Sequence, residues 1–295
     1  MSHLDGIYAA TLTPFNNDES VDFDGVKALI KNAQKQKLDG VYVGGSTAEA
    51  FMMNVSERKA VLEATADAGV EGMKMIAHVG SIRTMDCCSL ASSAKANGYD
   101  AVSAVTPFYY PFGFDALVEH YQRIIEAADG LPMVIYNFPA MSGVKLSAEQ
   151  IAKLMNLENV AALKQTSGDM YQMEQLAAAY QEKTIFNGFD EVFLAGQMAG
   201  AKGGIGSTYN VMGYRYANII QALKQNDIET ARAEQFKANR VIDVLCDVGV
   251  LPGLKYILKK QEVIANDRVR RPLQQLTREQ ESKLDQLFEL DLLQK

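Results

Sequence analysis

The most informative group in the chain is a lysine that closes an apolar run. Lys164 follows Val160-Ala161-Ala162-Leu163, a segment whose composition predicts burial, and an isolated ammonium in such surroundings is costly to desolvate. Burial disfavours the charged form and lowers a lysine's pKa, giving at neutral pH the free amine that attacks a ketone. A structural lysine, paired with a buried carboxylate or reaching out of the strand end, accounts for the same pattern. Lys74, Lys202 and Lys255 are weaker nucleophile candidates: Lys74 precedes its apolar run, Lys202 lies in a polar turn, and Lys255 falls in a helical pattern. The turn Gly44-Gly45-Ser46-Thr47 ends a second apolar run. Its backbone N–H groups and two hydroxyls suit a small anion such as a carboxylate, although an ordinary loop with a helix cap reads the same way. Tyr136 ends a third run, where a phenol either relays a proton or packs with its hydroxyl satisfied. His78 lies inside an apolar stretch and His120 in a helical one, neither with a second metal ligand nearby in sequence, so core or surface roles are expected. Cys87, Cys88 and Cys246 are too few and wrongly spaced for a disulfide framework or a zinc site.

These groups need elements to position them. Short β-branched or aromatic runs recur at 6–12, 39–45, 74–80, 100–106, 132–137, 160–165, 184–188 and 203–207, giving eight candidate strands. Helical periodicity fills 22–37, 56–69, 114–128, 147–156 and 169–182. Ser147, with Glu149 and Gln150 behind it, signals a helix start, while Asp39-Gly40 and Asn97-Gly98 read as C-terminal stops. Eight strands alternating with helices predict an α/β fold of the (β/α)8 TIM-barrel type rather than an open doubly wound sheet. Residues 1–208 would hold the barrel strands and connecting helices. Residues 209–295, almost wholly helical in pattern, would hold the last barrel helix and a C-terminal helical extension, and no linker rich in Pro, Gly or Ser separates the two.

In such a barrel the active site lies at the C-terminal ends of the strands. There the sequence places Ser46 and Thr47, Thr106 to Tyr110, Tyr136 and Asn137, Lys164 to Thr166, Gly188 to Glu191, and Gly206 to Thr208, which are expected to converge on one mouth. A hydrophobic fraction of 48% with 22% charged residues is that of an ordinary globular protein. The net charge of -7 argues against nucleic acid or an anionic membrane as partner. The N-terminus lacks a basic region followed by an apolar stretch, and no run approaches the roughly 18 apolar residues of a transmembrane helix, so a cytoplasmic location is expected.

Taken together, ATLTPF (10–15), YVGGSTAEAF (42–51), AHVG (77–80), DAVSAVTPFYYPF (100–112), DGLPMVIYNFPAMSGVKL (129–146), ALKQTSGDMYQMEQ (162–175), FNGFDE (186–191) and GGIGSTYNVMG (203–213) resemble the N-acetylneuraminate lyase branch of the dihydrodipicolinate synthase family of pyruvate-dependent aldolases. The resemblance runs nearly end to end. It implies a homotetramer without cofactor or metal that cleaves sialic acid to N-acetylmannosamine and pyruvate. In that reading Lys164 forms the Schiff base, Tyr136 handles the proton, and Ser46 and Thr47 hold the pyruvate carboxylate. Tyr109 matches the tyrosine that the family inserts across a subunit interface to join Tyr136 and Thr47. Thr166, Gly188, Asp190, Glu191 and Ser207 match positions that bind the sugar portion.

One position separates the branches. Synthases of the family usually carry an arginine two residues after the proline of Tyr-Asn-x-Pro, where it binds a further carboxylate; here Tyr136-Asn137-Phe138-Pro139 is followed by Ala140 and Met141. A 2-keto-3-deoxy sugar acid aldolase shares the lysine and tyrosine and is the nearest enzymatic rival, and a catalytically silent sialic acid or pyruvate sensor is the rival from another class. The chain departs from the family at Ala48, where the Gly-Ser-Thr-Gly-Glu turn usually has glycine. If that glycine has positive φ, alanine carries a backbone cost of roughly 1 kcal/mol or more. Carboxylate binding is then expected to survive with altered affinity, because both hydroxyls and Glu49 remain.

Overall fold

The structure, a computed structural model, describes residues 4–294. Each predicted strand is present: β1 Gly6–Ala10, β2 Gly40–Val43, β3 Lys74–His78, β4 Ala101–Val105, β5 Met133–Asn137, β6 Val160–Gln165, β7 Thr184–Asn187 and β8 Gly203–Gly206. They pair in chain order into a closed barrel, and every pairing is parallel. The connecting helices are α1 Phe23–Lys35, α2 Val55–Ala66, α3 Thr84–Ala96, α4 Phe114–Ala127, the short α5 Pro139–Ser142, α6 Ala148–Met155, α7 Met170–Ala179 and α8 Phe193–Met198. After β8 come α9 Tyr209–Lys224, α10 Ile228–Val248, α11 Val250–Lys260 and α12 Arg278–Glu289. The fold is therefore a (β/α)8 barrel with C-terminal helices. Among the described residues no helix is long and apolar enough to cross a membrane.

Local chemistry sets most boundaries as expected. Ser147 accepts from the Gln150 N–H while the Gln150 side chain accepts from the Ser147 N–H, a reciprocal cap on α6. Asn97 caps α3 and Gly98 follows in the left-handed region at φ 72°. Asp39-Gly40 is not the stop of α1. That helix ends at Lys35, Lys37 takes the left-handed conformation at φ 62°, and Asp39 already serves the sheet by accepting the Ile7 N–H at 2.8 Å.

Alternation along the strands sorts side chains onto two faces. Tyr8, Tyr42, Ile76, Ala101, Val134, Ala162, Phe186 and Ile205 fill the barrel interior, while Ile7, Val41, Ala77, Val102, Ile135, Leu163 and Ile185 pack under the helices. Each fully buried aliphatic or aromatic side chain contributes roughly 1.5–3 kcal/mol. Lys164 follows Ala162 by two residues and so points inward. A register shift helps put it there: Met133 pairs with Val160 but Val134 with Ala162, so Ala161 is an extra residue in β6, and beyond it Tyr136 pairs with Lys164. A one-residue slip turns every later side chain to the opposite face.

The later helices lie to one side of the barrel, with α10 against α9 and α8, α11 against α9 and α10, and α12 on α10 and α11. Between α11 and α12 the chain runs without regular helix past Arg268 to Arg271. The last helical run, capped by Thr277, stops at Glu289.

Candidate active site

Lys164 is 5% exposed and its Nζ sits 4.2 Å from the ring centre of Tyr136 and 4.7 Å from that of Tyr42. Among the described residues it forms no hydrogen bond or ion pair. Burial pulls its pKa from 10.5 to about 7, only partly opposed by the charge of Asp190. The structural alternative, a lysine neutralised by a buried carboxylate, is realised by Lys255, which pairs with Glu49.

Tyr136 lies beside Lys164 in register on β5 and stacks on Phe138 with ring centres 5.8 Å apart. Burial pushes its phenol up to about 12, while the hydroxyls of Ser46 and Thr166 favour its ionised form. It is therefore a neutral phenol at rest, next to an amine whose conversion to a cation would draw its proton away.

Ser46 and Thr47 open a tight turn at the end of β2, in which the N–H groups of Ala48 and Glu49 return to the carbonyls of Gly45 and Ser46 at 3.1 Å each. The N–H groups of Ser46 and Thr47 donate to no described residue. His78 braces the turn from β3: its Nδ1 donates to the Gly44 carbonyl at 2.9 Å and its Nε2 accepts from the Val105 N–H at 3.2 Å. Those roles require a neutral ring protonated on Nδ1, and burial, assisted by the charge of Arg58, holds its pKa down at about 3. His78 is thus a buried structural residue.

The turn corrects two expectations. Ala48 does not have positive φ; the left-handed residue is Glu49, at φ 56°. Restoring glycine at 48 relieves no strain, so Ala48→Gly should leave the turn's affinity for a small carboxylate within about threefold, measured by titration with pyruvate as the probe. A larger change would mean that the Ala48 methyl itself shapes the turn. Glu49, moreover, offers nothing to a ligand carboxylate, since both of its oxygens are engaged elsewhere, by Lys255 Nζ and by the Arg270 N–H.

Across the mouth, Asp190 Oδ2 accepts from the N–H and hydroxyl of Thr208 at 2.8 and 2.7 Å and lies 3.5 Å from Ser207 Oγ. Burial raises the Asp190 carboxyl to about 6 even against those donors. Its other oxygen packs so close to β8 that a Cβ at Gly206 would meet Oδ1 at 2.0 Å, and a Cβ at Gly188 would meet Thr166 Oγ1 at 1.9 Å. Only glycine permits these approaches. From α10, Gln235 donates to the Asp190 carbonyl at 3.1 Å and Asn239 to that of Glu191 at 3.1 Å, fixing the loop after β7. The Glu191 side chain stands exposed at the rim.

A cavity of about 270 Å³ brings together Lys164, Tyr136, Ser46, Thr47, Thr166, Gly188, Asp190, Glu191 and Ser207. Tyr109 does not join them. It is 83% exposed, holds φ at 79° and stacks edge-on with Tyr110, so strand four's aromatic tail leaves the mouth of its own chain. Sequence reasoning missed part of the wall: Phe138, Phe189 and Thr208, and Ile242, Leu245, Cys246 and Val250 from α10 and α11. Phe189 and Thr208 stood within the strand ends expected at the mouth, without an assigned role, and Phe138 directly follows one, whereas nothing local marks the helical ones. An adjoining apolar cavity of about 230 Å³, sharing Ser46 and Phe138, is lined by Phe51, Phe108 and Met141. Among the described residues no group of three or more His, Cys, Asp or Glu side chains is placed to hold a metal ion.

Residues 3–290 match the model of the dihydrodipicolinate synthetase family. The chain is 51% identical to an N-acetylneuraminate lyase of Escherichia coli over 271 residues, 92% of this chain and 91% of that relative. Among solved structures it is similar to the N-acetylneuraminate lyase of Fusobacterium nucleatum complexed with pyruvate, with 36% identity, a TM-score of 0.91 and 97% of each chain covered. It is also similar to a catalytic lysine mutant of the Ruminococcus gnavus sialic acid aldolase, with 30% identity, a TM-score of 0.95 and 99% and 98% of the two chains covered.

Proposed function

Because the chain belongs to the dihydrodipicolinate synthetase family, we propose that it is a lyase that reversibly cleaves N-acetylneuraminate to N-acetylmannosamine and pyruvate through a Schiff base on Lys164. The observation that carries this reading is an inward-facing amine with a pKa near 7 in the same cavity as a phenol and a hydroxyl-bearing turn.

Lys164 adds to the C2 ketone of the open-chain sugar and, with loss of water, gives an iminium that takes up the electron pair of the breaking C3–C4 bond. Tyr136 relays the C4 hydroxyl proton as that bond breaks: its oxygen accepts that proton while its own O–H proton passes to the substrate carboxylate, so the phenol ends neutral. A phenol with a pKa near 12 is a poor base at rest, but the new cation beside its ring and the Ser46 and Thr166 hydroxyls lower the cost of ionising it. N-acetylmannosamine departs, the enamine is protonated at C3, and water releases pyruvate and the free amine. Ser46 and Thr47 hold the carboxylate, and Thr166 and Ser207 orient the rest. The carboxylates of Asp190 and Glu191, both lining the cavity, suit a polyhydroxyl chain. Met141 supplies no cation for a further carboxylate, which favours a sugar over the synthase substrate. The same reading makes the protein a cytoplasmic homotetramer in which the exposed Tyr109 completes a neighbouring subunit's site.

Incubating the purified protein with N-acetylneuraminate in the presence of a chelator should release pyruvate and N-acetylmannosamine in equal amounts. Faster cleavage of 2-keto-3-deoxy sugar acids would overturn the substrate, and no pyruvate from either would overturn the enzyme.

A further inference from the structure

Lys255 is the second fully buried lysine and has no part in the chemistry above. It lies on α11 at 0% exposure, its Nζ donating to Glu49 Oε1 at 2.5 Å and to the Arg268 carbonyl at 2.8 Å, 4.2 Å from the ring centre of Phe15. The other Glu49 oxygen accepts the Arg270 N–H at 2.8 Å. Arg270 in turn pairs with Glu57 at the start of α2 and donates to the carbonyls of Glu19 and Met52, so the segment after α11 is tied to the loops on both sides of the turn.

Glu49 is also the residue that ends the carboxylate-binding turn. It stands two positions after Thr47, and its N–H closes on the Ser46 carbonyl while its own backbone is left-handed at φ 56°. A non-glycine residue keeps that conformation only when its surroundings over-determine it. A buried ion pair is weak evidence for stability, because replacing both partners with neutral groups is often neutral or favourable. One that grips the last residue of a ligand-binding turn has a geometric use.

We propose that Lys255 is a positioning residue: acting through Glu49, the C-terminal extension sets the Ser46–Thr47 hydroxyls and N–H groups for the pyruvate carboxylate. The inference rests on the function proposed above and adds the origin of carboxylate affinity.

The test uses the full-length protein, wild type, Lys255→Met, and the double variant Lys255→Met/Glu49→Gln, which leaves no unpaired buried charge and carries the test if the single variant does not fold. Borohydride trapping on Lys164 is measured against the concentration of pyruvate and of hydroxyacetone, a ketone without a carboxylate. Both variants should need about tenfold more pyruvate for half-maximal trapping, with hydroxyacetone trapping unchanged. Folded variants with unchanged pyruvate dependence, or an equal loss for both ketones, would overturn the positioning role. A wild-type protein that neither ketone labels would instead overturn the Schiff-base reading itself, a failure visible before any variant is made.

Discussion

Lys164→Met should abolish pyruvate release from N-acetylneuraminate, lowering kcat by at least about a thousandfold, while raising the protein's thermal midpoint by a few degrees. Both effects come from one cause. The amine is held out of water without an ion-pair partner among the described residues, and burial brings its pKa to about 7. An amine in that state can act as a nucleophile at neutral pH, and holding it there is costly to the fold. Methionine keeps the length and apolar character of the side chain and removes the group that must be desolvated. No other lysine among the described residues lines the cavity, and Lys255 is engaged by Glu49.

Between about 7 and the ordinary value of 10.5 the folded protein holds fewer protons at Lys164 than the unfolded chain does. Stability therefore rises with pH through that window, and below it the full cost of burying the charged form is present. The variant should lose that slope, as denaturant unfolding measured between neutral and alkaline pH would report. Retained turnover would contradict the assignment of the nucleophile; a destabilised variant would contradict the desolvation argument.

Tyr136→Phe is the second large effect. Phenylalanine preserves the stack on Phe138 and the edge contact with Tyr42, whose ring centre lies 6.2 Å away, and deletes only the hydroxyl. Cleavage should slow by about a hundredfold in kcat, whereas trapping of pyruvate on Lys164 persists, because the amine and the Ser46–Thr47 turn remain. Steady-state kinetics alongside trapping separates the two steps. A normal kcat would remove Tyr136 from the proton path, and a loss of trapping equal to the loss of turnover would give it a role in forming the Schiff base instead.

The parts of this site that were legible in the sequence are those encoded within a few residues. The apolar run from Val160 to Leu163 is enough to mark Lys164 as buried, and the strand ends carry Ser46, Tyr136, Asp190 and Ser207 to one mouth once eight strands are counted. α3, rich in Ala, Ser and Cys, has little contrast between its faces and was not singled out. The extra residue at Ala161 looks like any other alanine until β5 is laid beside it. The sequence counts Glu49 with the Ser46 and Thr47 hydroxyls in support of carboxylate binding, but its partner is 206 residues away, and the folding of α11 and the segment after it onto the turn engages both of its oxygens. Ala48 raised a concern about backbone strain that belongs to its neighbour, since a motif specifies residue types and not which of them turns left-handed.

On the function proposed above, one amine, that of Lys164, forms the covalent intermediate. Protein reduced with borohydride in the presence of pyruvate, then digested and weighed peptide by peptide, should carry a reduced pyruvate adduct on Lys164 and lose activity in step with its formation. An unlabelled Lys164 in protein that still turns over, or an adduct on Lys255 or any other lysine that accounts for the inactivation, would contradict it.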